Sequence, residues 1–422
     1  MKFKQLTSLT TAMTLALGIT ACGGGGGSGN STASSVGTSS VGVITGFGSV
    51  FVNGVEYETS GSNIQRDGVS ASESDLAVGM VVKVRGSDDG VNGVALSIEA
   101  NDEMEGIVLA NNIAPGATTG TLDIMGQTVT VNADTIFESE VAGINSIDQV
   151  AVNSIVEVSG FGDGNGNVTA TRIEVKAADL AGYLIEHANG IEVKGLIGTL
   201  DTGAMTFILG NMVVDYSGAT LDISGSLADG LYVEVKSVAG IDSNGNLVAS
   251  KVELENEGDA GHSGEQDEAF EIRGLIATGF DGTAFILDGT RIIVDSGTEL
   301  KDMGTSDLTT GTEVEVEGRF DANGDLLADE VSMEAEADSE ISGTIASTSS
   351  TGVNTGSITL VDGTVIFINN DTVMHDSRDN GMTPVDHFNL SFLGTGDFIE
   401  VRVYTDTNGD LVAVKLERDD NT

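Results

Sequence analysis

Apolar and polar residues alternate with a period of two through most of the chain, the pattern of half-buried strands. The clearest stretch is Gly311 to Glu334. Val314 and Val316 alternate with Glu313, Glu315 and Glu317, Asp321-Ala322-Asn323-Gly324 interrupts, and Leu326, Ala328, Val331 and Met333 supply a second strand. Asn and Gly both tolerate positive φ, so the stretch predicts a tight hairpin. The hairpin recurs. Strands at Val81 to Val84, Val156 to Val158, Val233 to Val235, Val314 to Val316 and Ile399 to Val401 lead to Asn92-Gly93, Asn165-Gly166, Asn244-Gly245, Asn323-Gly324 and Asn408-Gly409. Each unit opens on a glycine followed by aliphatics, at Gly42, Gly106, Gly195, Gly274 and Gly343. An apolar run then ends in Gly54, Gly126, Gly210, Gly289 or Gly363. A third strand follows, such as Ile292-Ile293-Val294, and then a short patch such as Asp307-Leu308 with room for one helical turn. Recurrence in one order marks a repeat architecture.

Three strands, a helical turn and a two-strand hairpin follow the order of an OB-like barrel. The predicted fold is all-β: five tandem small OB-like barrel modules, each of about five strands with a short helical turn. They cover residues 41–100, 104–176, 193–255, 271–335 and 340–418. At roughly 60–75 residues a unit can fold alone around a small core, and closure hides edges that Val-rich strands would otherwise expose. A row of small sandwiches is the rival architecture. A propeller fits less well, because its blades lack a helical turn.

The units differ in detail. The second carries an insertion around Ile144 to Val152, and the fifth a longer one from Asp376 to Phe392. Lys236-Ser237 and Arg402-Val403 stand where other hairpins place glycine, which predicts a different twist. The connectors Glu99 to Glu105, Glu255 to Glu271 and Glu334 to Glu340 are acidic, and residues 256–270 are also Gly-rich, a hinge. In the linker 177–192, Leu180, Tyr183, Leu184 and His187 fall at helical spacing and predict a short helix.

The N-terminus is excluded from the fold. Lys2 and Lys4 precede an apolar stretch from Leu6 to Leu17, too short for a membrane span of about 20 residues. It ends in Leu17-Gly18-Ile19-Thr20-Ala21-Cys22, which resembles the bacterial lipobox. The resemblance implies a signal peptide over residues 1–21 and lipidation of Cys22. Gly23 after the cysteine implies sorting to the outer membrane. Acyl chains at about 0.8 kcal/mol per buried methylene anchor a chain stably. Residues 22–40 are rich in Gly, Ser and Thr, a flexible tether reaching roughly 20–25 Å. Cys22 is the only cysteine, so no disulfide and no thiolate metal site is available to the modules.

Charge narrows the partners. With 18 basic against 65 acidic residues, the chain carries −47 over its 422 residues, and loss of Lys2 and Lys4 deepens this. Phosphate-bearing partners are repelled, so nucleic acid is excluded. The conceivable partners are the membrane through the lipid, and an envelope protein or a glycan. Oligomeric state is not legible.

Candidate chemistry is sparse. Asp242 and Asn244, Asp321, Asn323 and Asp325, and Asp406, Asn408 and Asp410 place oxygens at alternate turn positions, as calcium loops do. Turn chemistry explains the same residues without an ion. His375 and His387 with Asp376, Asp379 and Asp386 form the densest His/carboxylate group. Their spacing matches no zinc motif, and a solvated loop is the simpler reading. His262 sits in a linker. No phosphate loop, His-Glu-x-x-His or Gly-x-Ser-x-Gly motif occurs. Phe51, Phe207 and Phe285 fall at core-facing strand positions.

The lipobox, the tether and the units with their Gly-Ile opening, Val-Glu-Val strand and Asn-Gly-x-Leu-x-Ala ending resemble bacterial lipoproteins carrying domain of unknown function 5666. The resemblance spans Gly42 to Leu416 and implies fold and location, with no catalytic residues and no cofactor. The expectation is a non-enzymatic, lipid-anchored envelope protein, a string of β modules serving as spacer or binding surface. The alternatives are a calcium-stabilised adhesion protein and an envelope hydrolase.

Overall fold

The computed structural model describes residues 38–163, 166–223, 225–254, 268–301, 303–378 and 384–420. The leader, Cys22, most of the tether, the 255–267 part of the acidic connector with His262, and Asp379 lie outside them. The described chain is almost entirely strand, as the alternation requires.

Each module closes on itself. In the fourth, the first strand (Ala269–Thr278) pairs antiparallel with the second (Ala284–Leu287), and the second with the third (Thr290–Ile293). The third runs parallel to the fifth (Leu326–Met333), which pairs with the fourth (Glu313–Phe320). The fourth returns to the first and completes the ring. The same ring forms in the first module from Thr38–Phe47, Val50–Val52, Val55–Glu58, Val81–Asp88 and Asn92–Ala100. It forms in the second from Met104–Asn111, Gly120–Ile124, Gln127–Ser139, Ile155–Gly162 and Val168–Ala177. In the fifth it uses Ser339–Ser350, Gly356–Leu360, Val365–Ile368, Phe398–Thr405 and Leu411–Asp419. This is the OB-like barrel in four modules, and in the third the ring runs through a split last strand, Leu247–Val248 beside the third strand and Lys251–Leu254 beside the fourth. A further short strand lies parallel to the far half of the fifth in four modules, for example Val373–Asp376 beside Lys415 to Arg418. In the second module the long third strand fills that place, kinked between Val131 and Ile136.

The hairpin glycines have a steric cause. At Gly86, Gly160 and Gly318 a Cβ would overlap the carbonyl oxygen of Val94, Thr169 or Leu327 across a bulge. The fifth module keeps that bulge with Arg402-Val403. The third does not. Its last strand splits into Leu247–Val248 and Lys251–Leu254, and the Ser237 hydroxyl donates to the Val248 carbonyl at 2.6 Å.

Two expectations need correction. The hairpin turn is not built on positive φ at both Asn and Gly. Gly324 lies at +88°, while Asn323 is not among the residues of positive φ. Asp321 instead receives the backbone N–H groups of Asn323 and Asp325, at 2.7 and 3.0 Å. That Asx-type turn makes Asp the organising residue. In the first module Asn92-Gly93 is not the turn at all. Asp89 and Gly90 turn the chain, and Gly93 lies in the fifth strand under the Tyr57 ring. The helical turn also forms in only three modules among the described residues: Glu73–Asp75, Ile147–Gln149 and Leu390–Phe392. At Asp307 the carboxylate accepts from Gly304 N at 2.8 Å and closes a plain turn. In the linker, Leu180–Tyr183 make one α-helical turn capped by Asp179.

Each barrel has its own aliphatic core, with Phe51, Phe207 and Phe285 buried. The cores run into one another at the seams. Val41 packs into the fourth module, Ile136 into the first, and Ile107, Met125 and Ile155 into the third. Val36–Thr422 form one compact unit, so the modules are not beads on a string. The first strands of modules one and four lie side by side in parallel, Thr38 to Val41 against Ala269 to Ile272. Modules two and three pair at Glu105 with Glu192 and at Met104 with Val193.

Candidate functional site

Chemistry-bearing side chains gather where modules meet. At the junction of modules one, two and three, Arg66 pairs with Asp102 at 3.3 Å and with Glu157. Ser159 Oγ donates to Asp102 at 2.9 Å, and Lys194 Nζ to the Asp102 carbonyl at 2.9 Å. Burial, with Asp67 nearby, pushes the Asp102 carboxyl upward. Its neighbour Glu103 is pushed up to about 7 by burial and by Asp288 of module four. Shifts of this size also arise in structural ion networks. Here the partners of Asp102, including Asp67 which accepts from its backbone N–H at 3.0 Å, come from all three modules and fasten them.

The insertion of module five makes a second junction. His375 is buried, not solvated. Its Nε2 lies 3.0 Å from Glu138 Oε1 of module two, and its Nδ1 3.5 Å from Glu417. Burial opposes a charged imidazole, but Glu138 and Glu417 outweigh it and raise the pKa. Arg172 holds Glu138 from the other side at 2.6 Å. Lys415 Nζ reaches across to the Thr135 carbonyl at 3.2 Å. Despite its burial, Asp376 is held down to about 2 by Arg378 and Arg418, paired at 2.7 Å and, from Arg418, 2.5 Å. His387 goes elsewhere. It stacks on Phe47 of module one at 3.9 Å between ring centres, and Nε2 lies 3.3 Å from the Leu76 carbonyl. The two histidines therefore fasten module five to different neighbours and share no ligand position. Asp386 joins neither group. Among the described residues no cluster of three His, Cys, Asp or Glu is arranged to hold a metal.

The calcium candidates stay apart as well, one set per hairpin. Asp242 and Asp406 each accept backbone N–H groups two and four residues on, and Asn244 and Asn408 donate back to them at 3.0 Å. Asn323 does the same to Asp321 at 2.8 Å, while Asp325 pairs with Arg291 at 2.7 Å. These backbone bonds lower the pKa of Asp242 and Asp406. The first carboxylate of each turn is thus engaged by the turn's own backbone.

A cleft of about 390 Å³ lies between modules two and four. Phe161 and Ile276 form its apolar part and Thr128, Thr130 and Thr310 its hydroxyl rim. Its one carboxylate, Asp163, is bonded to Asn167 at 2.8 Å. Among the described residues, no nucleophile and base converge there.

Sequence reasoning missed Arg66, Glu138, Arg172, Lys415 and Arg418. Scarcity was the available signal: with 18 basic residues among 65 acidic ones, each cation placed inside a strand has many acids to choose from.

The family profile described as Domain of unknown function (DUF5666) matches five times, over residues 41–99, 105–174, 194–253, 273–332 and 342–417. No curated protein matches the chain. Among solved structures, Drosophila Unr CSD456 is 15% identical, covers 54% of this chain and 97% of its own, and has a TM-score of 0.14. A multidomain protein with nucleic acid binding domains from Streptococcus pneumoniae is 11% identical, with 55% and 74% covered and a TM-score of 0.14. At those scores neither match bears on this chain.

Proposed function

The chain belongs to the family of domain of unknown function DUF5666, and from that premise we propose a non-enzymatic, lipid-anchored envelope protein whose modules form one stiff head. The head stands off an outer membrane on the tether that starts at Cys22, which is shorter than the 22–40 read from composition because Thr38 to Ser40 already belong to the first strand, and it offers its outward sheet faces to a protein or glycan partner. The observation that carries this reading is the seam set. Modules one and four pair in parallel and module five is fastened to one and two, which supports modules that move as one body. Two measurements test it. Scattering from the mature protein carrying Cys22→Ala should give a radius of gyration of roughly 21 Å, that of a compact body of this length. A much larger radius contradicts a single head. Palmitate labelling and membrane fractionation should both be lost in Cys22→Ala. Retention of either removes the anchor.

A further inference from the structure

The same strand position can be compared across the five modules. On the third strand, the outward pair is Glu56 and Glu58 in module one, and Thr128 and Thr130 in module two. It is Val213 and Asp215 in module three, Arg291 and Ile293 in module four, and Val365 and Phe367 in module five. Only the fifth pair joins an aromatic ring to a second apolar side chain with both exposed, at 40% for Phe367 and 41% for Val365. The patch extends sideways. Phe367 is in register with Val412 on the fifth strand, and Val412 with Tyr404 on the fourth. Val361, at the turn between the second and third strands, is 72% exposed. Among the described residues, no hydrogen bond, ion pair or ring contact ties Val361, Val365 or Phe367 to another module, while Tyr404 at the far edge of the patch lies within electrostatic reach of Glu334 at the end of module four. The contacts of module five with modules one and two run through Asn370, His375, His387, Asn389, Arg402 and Lys415 instead.

The rim is acidic. Asp362 follows Val361 directly, and Asp406 and Asp410 bracket the hairpin that leads into Val412. No Lys or Arg falls within the second strand, the third strand or the two turns beside them. An exposed apolar centre inside a polar rim is the layout of a protein-binding surface. The rim's sign selects the partner.

We infer that this face of module five is a docking surface for a segment of another protein whose apolar side chains are flanked by Lys or Arg. The inference rests on the binding-surface reading above and gives it a place and a partner chemistry. A second copy of this chain is disfavoured, since two acidic rims would meet. The acidic connector 255–267 is disfavoured for the same reason.

The test uses the mature protein and three synthetic ten-residue probes: alternating Lys with Val and Phe, alternating Lys with Ser, and alternating Glu with Val and Phe. At 0.15 M salt the basic apolar probe should bind at least tenfold more tightly than either other probe. It should protect the amides of Ser357 to Thr359 and Val365 to Ile368 from hydrogen exchange. Val365→Ser combined with Phe367→Ser should abolish the tenfold ratio, whereas Leu327→Ser, at an exposed apolar position of module four, should keep it. Equal binding of the Lys/Ser probe, or a ratio surviving in the double variant, overturns the inference. So does a dimer that Phe367→Ser dissolves, which would assign the face to a second copy. So does binding of maltohexaose at this face in place of the peptides. The exchange readout needs no variant, so a misfolded double variant leaves the test standing. Failure of membrane anchoring in the labelling experiment leaves the probe ratio unaffected, so the two readings fail separately.

Discussion

Two of the seams between modules are fastened by different physics. Modules one and four meet backbone to backbone, Thr38 to Val41 beside Ala269 to Ile272, with Val41 buried in the neighbouring core. Module five meets modules one and two through side chains: an imidazole between carboxylates, a ring stack, and a lysine on carbonyls. Ladder hydrogen bonds join neutral groups and tolerate changes of salt and pH. A seam of ionised side chains depends on both. The contrast teaches that a repeat can be fastened by two kinds of joint, and that only one of them can be tuned by the medium.

The largest expected effect is at Asp376. Asp376→Asn leaves buried Arg418 with only Asp397, 3.8 Å away, as counter-charge, and breaking such a pair costs about 3 kcal/mol or more. Urea unfolding should show this, with the loss concentrated in module five by hydrogen exchange. A change under about 1 kcal/mol would mean that the pair is worth no more than a surface one. Next is Gly46, where a Cβ would strike the buried amide of Asn354 across the seam between modules one and five. Gly46→Val should cost about 1–3 kcal/mol as overpacking. It should loosen Asn354 to Gly356 while Ala269 to Ile272 stay protected. Equal loosening of both seams would erase the distinction drawn between them.

A smaller effect should separate the seams by pH. The folded pKa of His375 is raised, so its contribution is complete below about pH 6.5, the unfolded value. It is lost as pH rises through the folded value. Glu138, Glu174 and Glu417 with Arg172 and Lys415 are the charged groups around it. Glu417 is held down to about 2, so its share is fully present above about pH 4.3, the unfolded value, and is lost as pH falls from there through about 2. The melting temperature of the wild type relative to His375→Gln should therefore be highest between about pH 4.5 and 6.5 and should shrink toward pH 9. A pH-independent difference would show that the imidazole acts by packing alone. The smallest effect is at the turns. Asp321→Ala should lower the melting temperature by less than any of the changes above, through the lost backbone bonds, and millimolar calcium should leave the melting temperature unchanged. A rise with calcium that Asp321→Ala abolishes would return the ion to these turns.

Much of the module was readable beforehand. The order of strands, the glycines at unit openings and the barrel closure follow from an alternation that any short window displays. The turn was half readable: Asp, Asn and Gly were the right residues, but Asn was given Asp's role. In the first module the Asn-Gly pair pointed three residues past the true turn at Asp89-Gly90. The site was mostly hidden. His375 and His387 looked like one cluster because twelve positions separate them, and they face different modules in space. Glu138, the partner of His375, lies 237 residues away in the chain, and nothing local to either residue marks the other.

The amino-acid pattern alone determined five closed β modules in one order. Side-chain period and turn chemistry are properties of a few neighbouring residues, and each barrel buries its own aliphatic face. Which module abuts which was decided only in three dimensions. A backbone seam such as Thr38 to Val41 on Ala269 to Ile272 uses groups that every residue carries, so it leaves no mark in the sequence. A polar seam depends on pairs of ordinary charged residues whose meaning appears only once distant strands have brought them within hydrogen-bonding reach.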